Sequence, residues 1–405
     1  MNGRVARAAT GAASLALALV LAPPPARAEG EPGWAGGAVP VLNYDADAGF
    51  GLGAIGTLAR HDPDARPYRV ALQAQVFVTS ERVHGHELRW DVVGVGHRRL
   101  RLFGRVGYFA TVNRNHCGLG NLVECAPAEA EAAADAAGLA PGSPERAELV
   151  RHFHQVRYVN PFAQAGARWR LGRRLSAFGQ WRLYDYRPGT LRERGPYAGS
   201  LYARAHPDGE AGLASVPQLG VMVDSRDAEG TPARGAWVEV SLRVADAATG
   251  SAWRFAGVNV TTRAYQRLAP WLVLATRQVT DVAAGELPLP ELGLVNAAET
   301  YVAFGGQAMG RGVREHRYVG RIKVLGQLEL RADLSRRWGA VAFVDAGWIA
   351  VDLADVGGDP ARVLGSTGAG VRFVQHPTFI LRADVGVSPH EGWAPQLYLQ
   401  LGHLY

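Results

Sequence analysis

An arginine set among glycines precedes two carboxylates on separate strand-like segments. The loop FGGQAMGRGVREHRY holds Gly305, Gly306, Arg311 and Gly312. The segment KVLGQLELRADL then carries Glu329, and AVAFVDAGWI carries Asp345. A guanidinium keeps its charge and can bond two carboxylates at once through its planar fork. The residues are too far apart in sequence to pair locally. The expectation is therefore an internal ion-pair lock, with the loop folding in to meet Glu329 and Asp345. Other chemistry is sparse. No G-x-S-x-G nucleophile elbow, phosphate loop or Rossmann glycine pattern occurs. His84-Gly85-His86 lacks further ligands at metal-site spacing. No catalytic residue, metal or cofactor is expected, and the chain does not read as an enzyme. Cys117 and Cys125 bracket a turn-like GLGNLVE. In an exported chain such a close pair predicts a disulfide.

The segments that must position these groups alternate. Val324, Leu328 and Leu330 oppose Lys323, Gln327, Glu329 and Arg331, while Ala340, Ala342, Val344 and Ala346 oppose Phe343 and Asp345. The same period recurs in about sixteen segments, from 38–46 and 48–60 through 150–171 and 234–248 to 378–388 and 393–405. The polar positions are Arg, Glu, Gln and Asp, which suits a wet lumen, and the apolar faces suit lipid. The fold class predicted is an all-β antiparallel transmembrane β-barrel. An even strand number puts both termini on the periplasmic side. The long connections 114–149, 189–211 and 282–317 then face outward, and short turns such as 172–173 and 226–233 face the periplasm.

The chain opens with Arg4 and Arg7, an apolar run over 11–22 and Ala26-Arg27-Ala28, the pattern of a cleaved export signal over 1–28. A short periplasmic lead-in over 29–37 and a barrel over 38–405 complete the expected organisation, with no soluble domain ahead of the barrel. The net charge of +6 comes from arginine, Lys323 being the sole lysine. Carboxylates are interleaved and no basic cluster is interspersed with aromatics, so nucleic acid is not an expected partner. Within the insert 126–149 a helix is predicted over Ala128–Ala137, with Pro141 and Pro144 ending helical structure there.

Four motifs give the chain a resemblance to a known family. GVMVDSRDAEGTPARGAWVEVSLR holds Asp224, Arg226, Asp227, Pro232, Gly235 and Glu239 in a D-x-R-D…P…G…E pattern; the glycine–arginine loop, the Glu329/Asp345 strand pair and a C-terminal strand ending in Tyr405 complete the set. The chain resembles the BamA/TamA-like outer-membrane assembly-factor superfamily, the bacterial surface antigen barrels. The resemblance implies that the D-x-R-D motif is a periplasmic turn and that Tyr405 belongs to a signal read by the barrel-assembly machinery that folds the protein. It implies a location in the outer membrane of a Gram-negative bacterium and a role in protein or lipid insertion, translocation or surface display. Partners would be outer-membrane lipid and client proteins or a periplasmic partner. The POTRA modules of the best-known members are absent, and Val313 stands where the family usually has an aromatic residue. Gly-rich 38–60, with Pro40 interrupting the first strand, suggests poor pairing and a labile seam to the last strand. The alternative is a passive pore, or a surface structural protein with a loop plug.

Overall fold

The computed structural model describes residues 32–45, 49–95, 99–356, 362–376 and 379–401. The strands are β1 (Gly33–Asp45), β2 (Gly49–Asp62), β3 (Ala65–Thr79), β4 (His84–Gly94), β5 (Leu100–Asn115), β6 (Gln155–Arg170), β7 (Leu175–Pro188), β8 (Gly212–Asp224) and β9 (Gly235–Ala245). They continue with β10 (Phe255–Ala269), β11 (Leu272–Gly285), β12 (Leu294–Asn296), β13 (Thr300–Val302), β14 (Ile322–Asp333), β15 (Trp338–Ala350), β16 (Leu364–His376), β17 (Phe379–Val387) and β18 (Gln396–Leu401). Sixteen of them form one sheet in chain order, each neighbour antiparallel, with β11 beside β14. The two short strands β12 and β13 form a separate hairpin. Among the described residues no ladder joins β1 to β18.

The sheet is inside-out relative to a soluble sandwich. Along β9, Val238, Val240, Leu242 and Val244 are 36%, 40%, 59% and 46% exposed, whereas Glu239 and Arg243 are 0% and 2% exposed. The apolar face looks outward and the charged face inward, as a sheet bounded by hydrocarbon requires. No helix among the described residues is long and apolar enough to cross a membrane. Long connections gather at one end of the sheet (116–154, 189–211, 286–321) and tight turns at the other (171–174, 270–271, 334–337).

Three expectations need correcting. β1 begins at Gly33, so most of the 29–37 lead-in is strand. Pro40 does not interrupt the ladder, which runs through Pro40↔Ala54 from Gly33↔His61 to Asp45↔Gly49. An edge strand tolerates proline because its N–H groups need not all be used. Pro144 does not end helical structure but starts it. Helix α1 (Pro127–Ala136) is followed by α2 (Pro144–His152), capped by Ser143, whose Oγ accepts from Arg146 N at 3.2 Å. A proline in the first helical turn loses a donor that had no partner there. The two helices pack through Ala130, Ala133, Ala134, Leu149 and Phe153 against Leu201 of the short α3 (Leu201–Ala205). The expected signal over 1–28 and Tyr405 lie outside the described residues.

Val240 lies midway along β9 and faces outward, which makes it a direct probe of the outer medium. Val240→Arg is expected to cost about 2–4 kcal/mol at mid-membrane. The readout is a lowered urea midpoint in lipid vesicles and loss of heat-modifiable gel migration, with Val240→Leu leaving both unchanged.

Candidate functional site: two latches on a lumenal plug

The loop after β13 turns back into the sheet and lays its tip on the inner wall. Arg311 is fully buried there. Its Nη1 donates to Glu329 Oε1 at 2.7 Å, and its Nε and Nη2 donate to Asp345 Oδ2 and Oδ1, each at 3.1 Å. Asp345 Oδ2 also accepts the backbone N–H groups of Gly310 and Arg311, both at 3.1 Å. A third carboxylate, Asp384 on β17, lies 3.4 Å from Arg311 Nη1. The guanidinium stacks on Phe343, 3.4 Å from the ring centroid. The wall adds cations that hold the acids in turn. Arg331 reaches Glu329 at 2.8 Å and Arg372 reaches Asp384 at 2.6 Å.

Loop glycines make this approach possible. Gly305 has φ +94°, and a side chain there would strike Arg314 O at 2.4 Å. Gly312 has φ +106°, and a Cβ would come within 2.5 Å of Val387 N. Gly386 on β17 is its counterpart, since a Cβ there would meet Arg311 O at 2.4 Å. Gly306 is also left-handed, at φ +78°. Val313 is fully buried among Phe304, Met309, Leu325 and Ile349, so an aliphatic side chain occupies this site. The tip also grips the last strand. Gly312 N donates to Tyr398 Oη at 2.9 Å, and Gln396 Nε2 donates to Gly312 O at 3.2 Å. Farther along, Arg314 and Arg317 both pair with Glu391, each at 2.9 Å, in the connection leading into β18.

A second cluster, not foreseen from the sequence, holds the other arm of the plug. Helix α4 (Leu289–Gly293) and the β12–β13 hairpin lie inside the sheet. Glu291 accepts from Arg182 at 2.5 Å, Tyr184 at 2.9 Å and the Asn296 amide at 2.9 Å. Asp281 of β11 forms a two-point pair with Arg243 at 2.9 and 3.0 Å. Lys323, the sole lysine of the chain, is fully buried beneath the hairpin. Its Nζ lies 3.3 Å from Asp281 Oδ1 and 3.2 Å from Glu291 O.

Across the inner faces of β5–β9, under the hairpin, runs a chain of glutamine amides that begins at Arg105. Arg105 donates to Gln164, Gln164 to Gln180, and Gln180 to Gln218, each at 2.8 Å; Gln218 then donates to Ser241 at 2.9 Å. The same amides reach the hairpin, with Gln218 donating to Asn296 O at 2.9 Å and Gln180 to Ala297 O at 3.3 Å. Glu239 ends this chain. It belongs to the lumen rather than to the turn where the motif reading put it, and its Oε1 accepts from Ala298 N at 2.6 Å. Strand parity explains the difference, because Glu239 lies well inside β9.

The rest of the D-x-R-D motif is a self-contained turn. Arg226 forks onto Asp224 at 3.0 and 2.8 Å, Pro232 is buried, and Gly235 has φ +97°. Asp227 accepts from Ala233 N at 2.9 Å and Arg234 N at 3.2 Å. Burial raises its carboxyl, but these donors more than offset that and leave it below the usual carboxylate range. Cys117 and Cys125 are joined, with Cα atoms 5.0 Å apart. Gly120 N, inside that stapled loop, donates to Val319 O at 2.8 Å at the end of the plug.

The profile of the Omp85 superfamily domain matches residues 155–402. Among solved structures, the chain is similar to BamA from Haemophilus ducreyi lacking POTRA domains 1–3, with a TM-score of 0.53 and 13% identity over 92% of this chain and 70% of that one. It is also similar to CdiB from Acinetobacter baumannii, with a TM-score of 0.52 and 12% identity over 96% of this chain and 64% of that one. At these identities the likeness is one of fold. No curated protein matches the chain in sequence.

The two clusters share no residue, so they should fail separately. Arg311→Ala strands buried carboxylates and is expected to cost about 3–5 kcal/mol, with Arg311→Lys restoring part of it. Hydrogen exchange should rise in 304–318 but not in 294–302. Glu291→Ala should do the reverse, raising exchange across the hairpin while leaving the tip protected. Loss of protection in both regions from either change would contradict independent latches.

Proposed function

The chain belongs to the Omp85 superfamily, and on that premise we propose an integral outer-membrane barrel that assists the insertion, translocation or surface display of other proteins. In this reading the long connections face the outside, and both termini and the tight turns face the periplasm. Residues 1–28 are a cleaved export signal, and Tyr405 completes a terminal signal read by the assembly machinery. The observation that carries the proposal is the grip of the loop tip on β18 through Tyr398 and Gln396. The strand at one margin of the sheet is held from inside by the plug loop, not only by its β17 neighbour. Release of Arg311 from Glu329 and Asp345 would withdraw that hold and leave β18 an edge able to pair with an incoming strand. Edge addition supplies backbone hydrogen bonds to any sequence, which suits a factor that handles varied clients. At the other margin, β1 carries Gly33, Gly36, Gly37 and Pro40, a composition with little side-chain packing to zip a seam. A barrel filled by the hairpin and loop also fits a closed machine better than an open passive pore.

Lys323 offers a reporter, since an amine reagent can reach it only when the hairpin lifts. Resting protein reconstituted in vesicles is expected to resist modification at Lys323, as read by mass spectrometry of the peptide that contains it. Labelling should rise when an unfolded barrel precursor is added, and in the Arg311→Ala/Glu291→Ala double variant without precursor. In the same samples Val41→Cys on β1, in a Cys117→Ser/Cys125→Ser background, should crosslink to the precursor. A large steady conductance in the resting state, or precursor addition that changes neither readout, would favour the passive-pore reading.

A further inference from the structure

Two pairs of exposed arginines that lie far apart in sequence, Arg173-Arg174 and Arg336-Arg337, stand at one rim of the sheet. Two tight turns there share one pattern, Leu171-Gly172-Arg173-Arg174-Leu175 and Leu334-Ser335-Arg336-Arg337-Trp338. They share one geometry as well. Leu171 N and Gly172 N donate to Leu175 O at 2.9 and 3.0 Å; Leu334 N and Ser335 N donate to Trp338 O at 2.9 and 3.0 Å. Each turn thus lifts two adjacent arginines at its tip. Neither of these pentapeptides contains a carboxylate. Arg173, Arg174, Arg336 and Arg337 are exposed, and among the described residues their side chains form no ion pair.

The flanks of the turns are apolar and equally exposed. Leu171, Leu175, Leu334 and Trp338 stand out beside the arginines. Trp169 and Trp271 continue the belt, and exposed Trp34 sits opposite Arg60 in the β1–β2 ladder. Tryptophan in such a ring marks the level where hydrocarbon gives way to headgroups. Arginines one step beyond it reach the phosphate layer, where a guanidinium fork matches phosphate oxygens. At the opposite end the α1–α2 helices mix acids with arginine, and Arg146 there is paired with Glu131 and Asp135 rather than left free. We infer that the paired-arginine turns form a binding rim for anionic glycerophospholipid headgroups, those of the inner leaflet. The choice of leaflet rests on the orientation proposed above. A zwitterionic lipid offers the same phosphate but brings its own cation, so the rim should distinguish net charge.

Native mass spectrometry of the full chain, released from detergent holding equal amounts of phosphatidylglycerol, phosphatidylethanolamine and lipid A, tests this. Wild type should retain phosphatidylglycerol over phosphatidylethanolamine by at least about tenfold, the scale of one to two surface arginines near an anionic layer. The preference should weaken as salt is raised. The variant R173Q/R174Q/R336Q/R337Q should bring the two lipids to parity. Equal retention of both by wild type, an unchanged preference in the variant, or preferential retention of lipid A would each overturn the inference. Heat-modifiable migration of the same samples reports the barrel separately, so failure of the rim and failure of the barrel reading are told apart.

Discussion

Charge enclosed by a wall whose outer face is apolar must be answered by charge or by a hydrogen bond, since little water remains to solvate it. Arg311 meets this demand at the tip of the loop. It sits among Glu329, Asp345 and Asp384, and those acids are shared with Arg331, Arg372 and Arg382 of the wall. Around the hairpin, Glu291 and Asp281 are shared among Arg182, Arg243 and Lys323. Each cluster holds one cation more than it holds acids. Backbone carbonyls of the plug take up the surplus. Arg382 donates to Gln307 O at 2.7 Å and Lys323 to Glu291 O at 3.2 Å, and Arg277, which belongs to neither cluster, donates to Ala308 O at 2.6 Å. The wall cations therefore grip the plug by its main chain, and the plug acts as a counter-dipole for the wall.

The two arms are held by different physics. The tip depends on a few strong, geometrically demanding ion pairs and on close backbone contact. The hairpin rests on one ionic cluster and on glutamine amides, each a modest neutral bond. Neutral bonds are individually weak but tolerate small shifts, whereas a guanidinium pulled from its carboxylates leaves buried charge behind. Both arms carry such buried pairs, and the tip is the arm that also touches β18.

Alternation made the sixteen strands legible, because period two survives wherever one face meets hydrocarbon and the other a polar lumen. It also put Glu329 and Asp345 on one face, next to the arginine loop. Asp384, Asp281 and Lys323 obey the same inward parity and could have been found by following it through every strand. Glu291 and Asn296 could not, since the short helix and hairpin that carry them have no period of their own and gain their place from tertiary contact. Proline acts by position: Pro144 opens α2, where its missing N–H has no partner to lose, and Pro40 stays within the β1 ladder because β1 is an edge strand. Glu239 belongs to the turn motif in sequence, but strand alternation and its place along β9 put its side chain in the lumen. The paired-arginine turns have no signature in any one stretch of chain, because a rim arises only from the order in which strands lie side by side.

Gly312 and Gly386 face one another across a contact with no room for a methyl group on either side. Neither glycine can be replaced in compensation for the other, because each would collide with main chain rather than with a side chain that could shorten. Among relatives that keep the arginine loop seated in this way, the two positions should be lost together or not at all. Joint loss would mark lineages in which the tip has moved off the last hairpin. A pair of glycines, one in a loop and one in a strand, would thus serve as a heritable record of which barrels still bind their final strand from within.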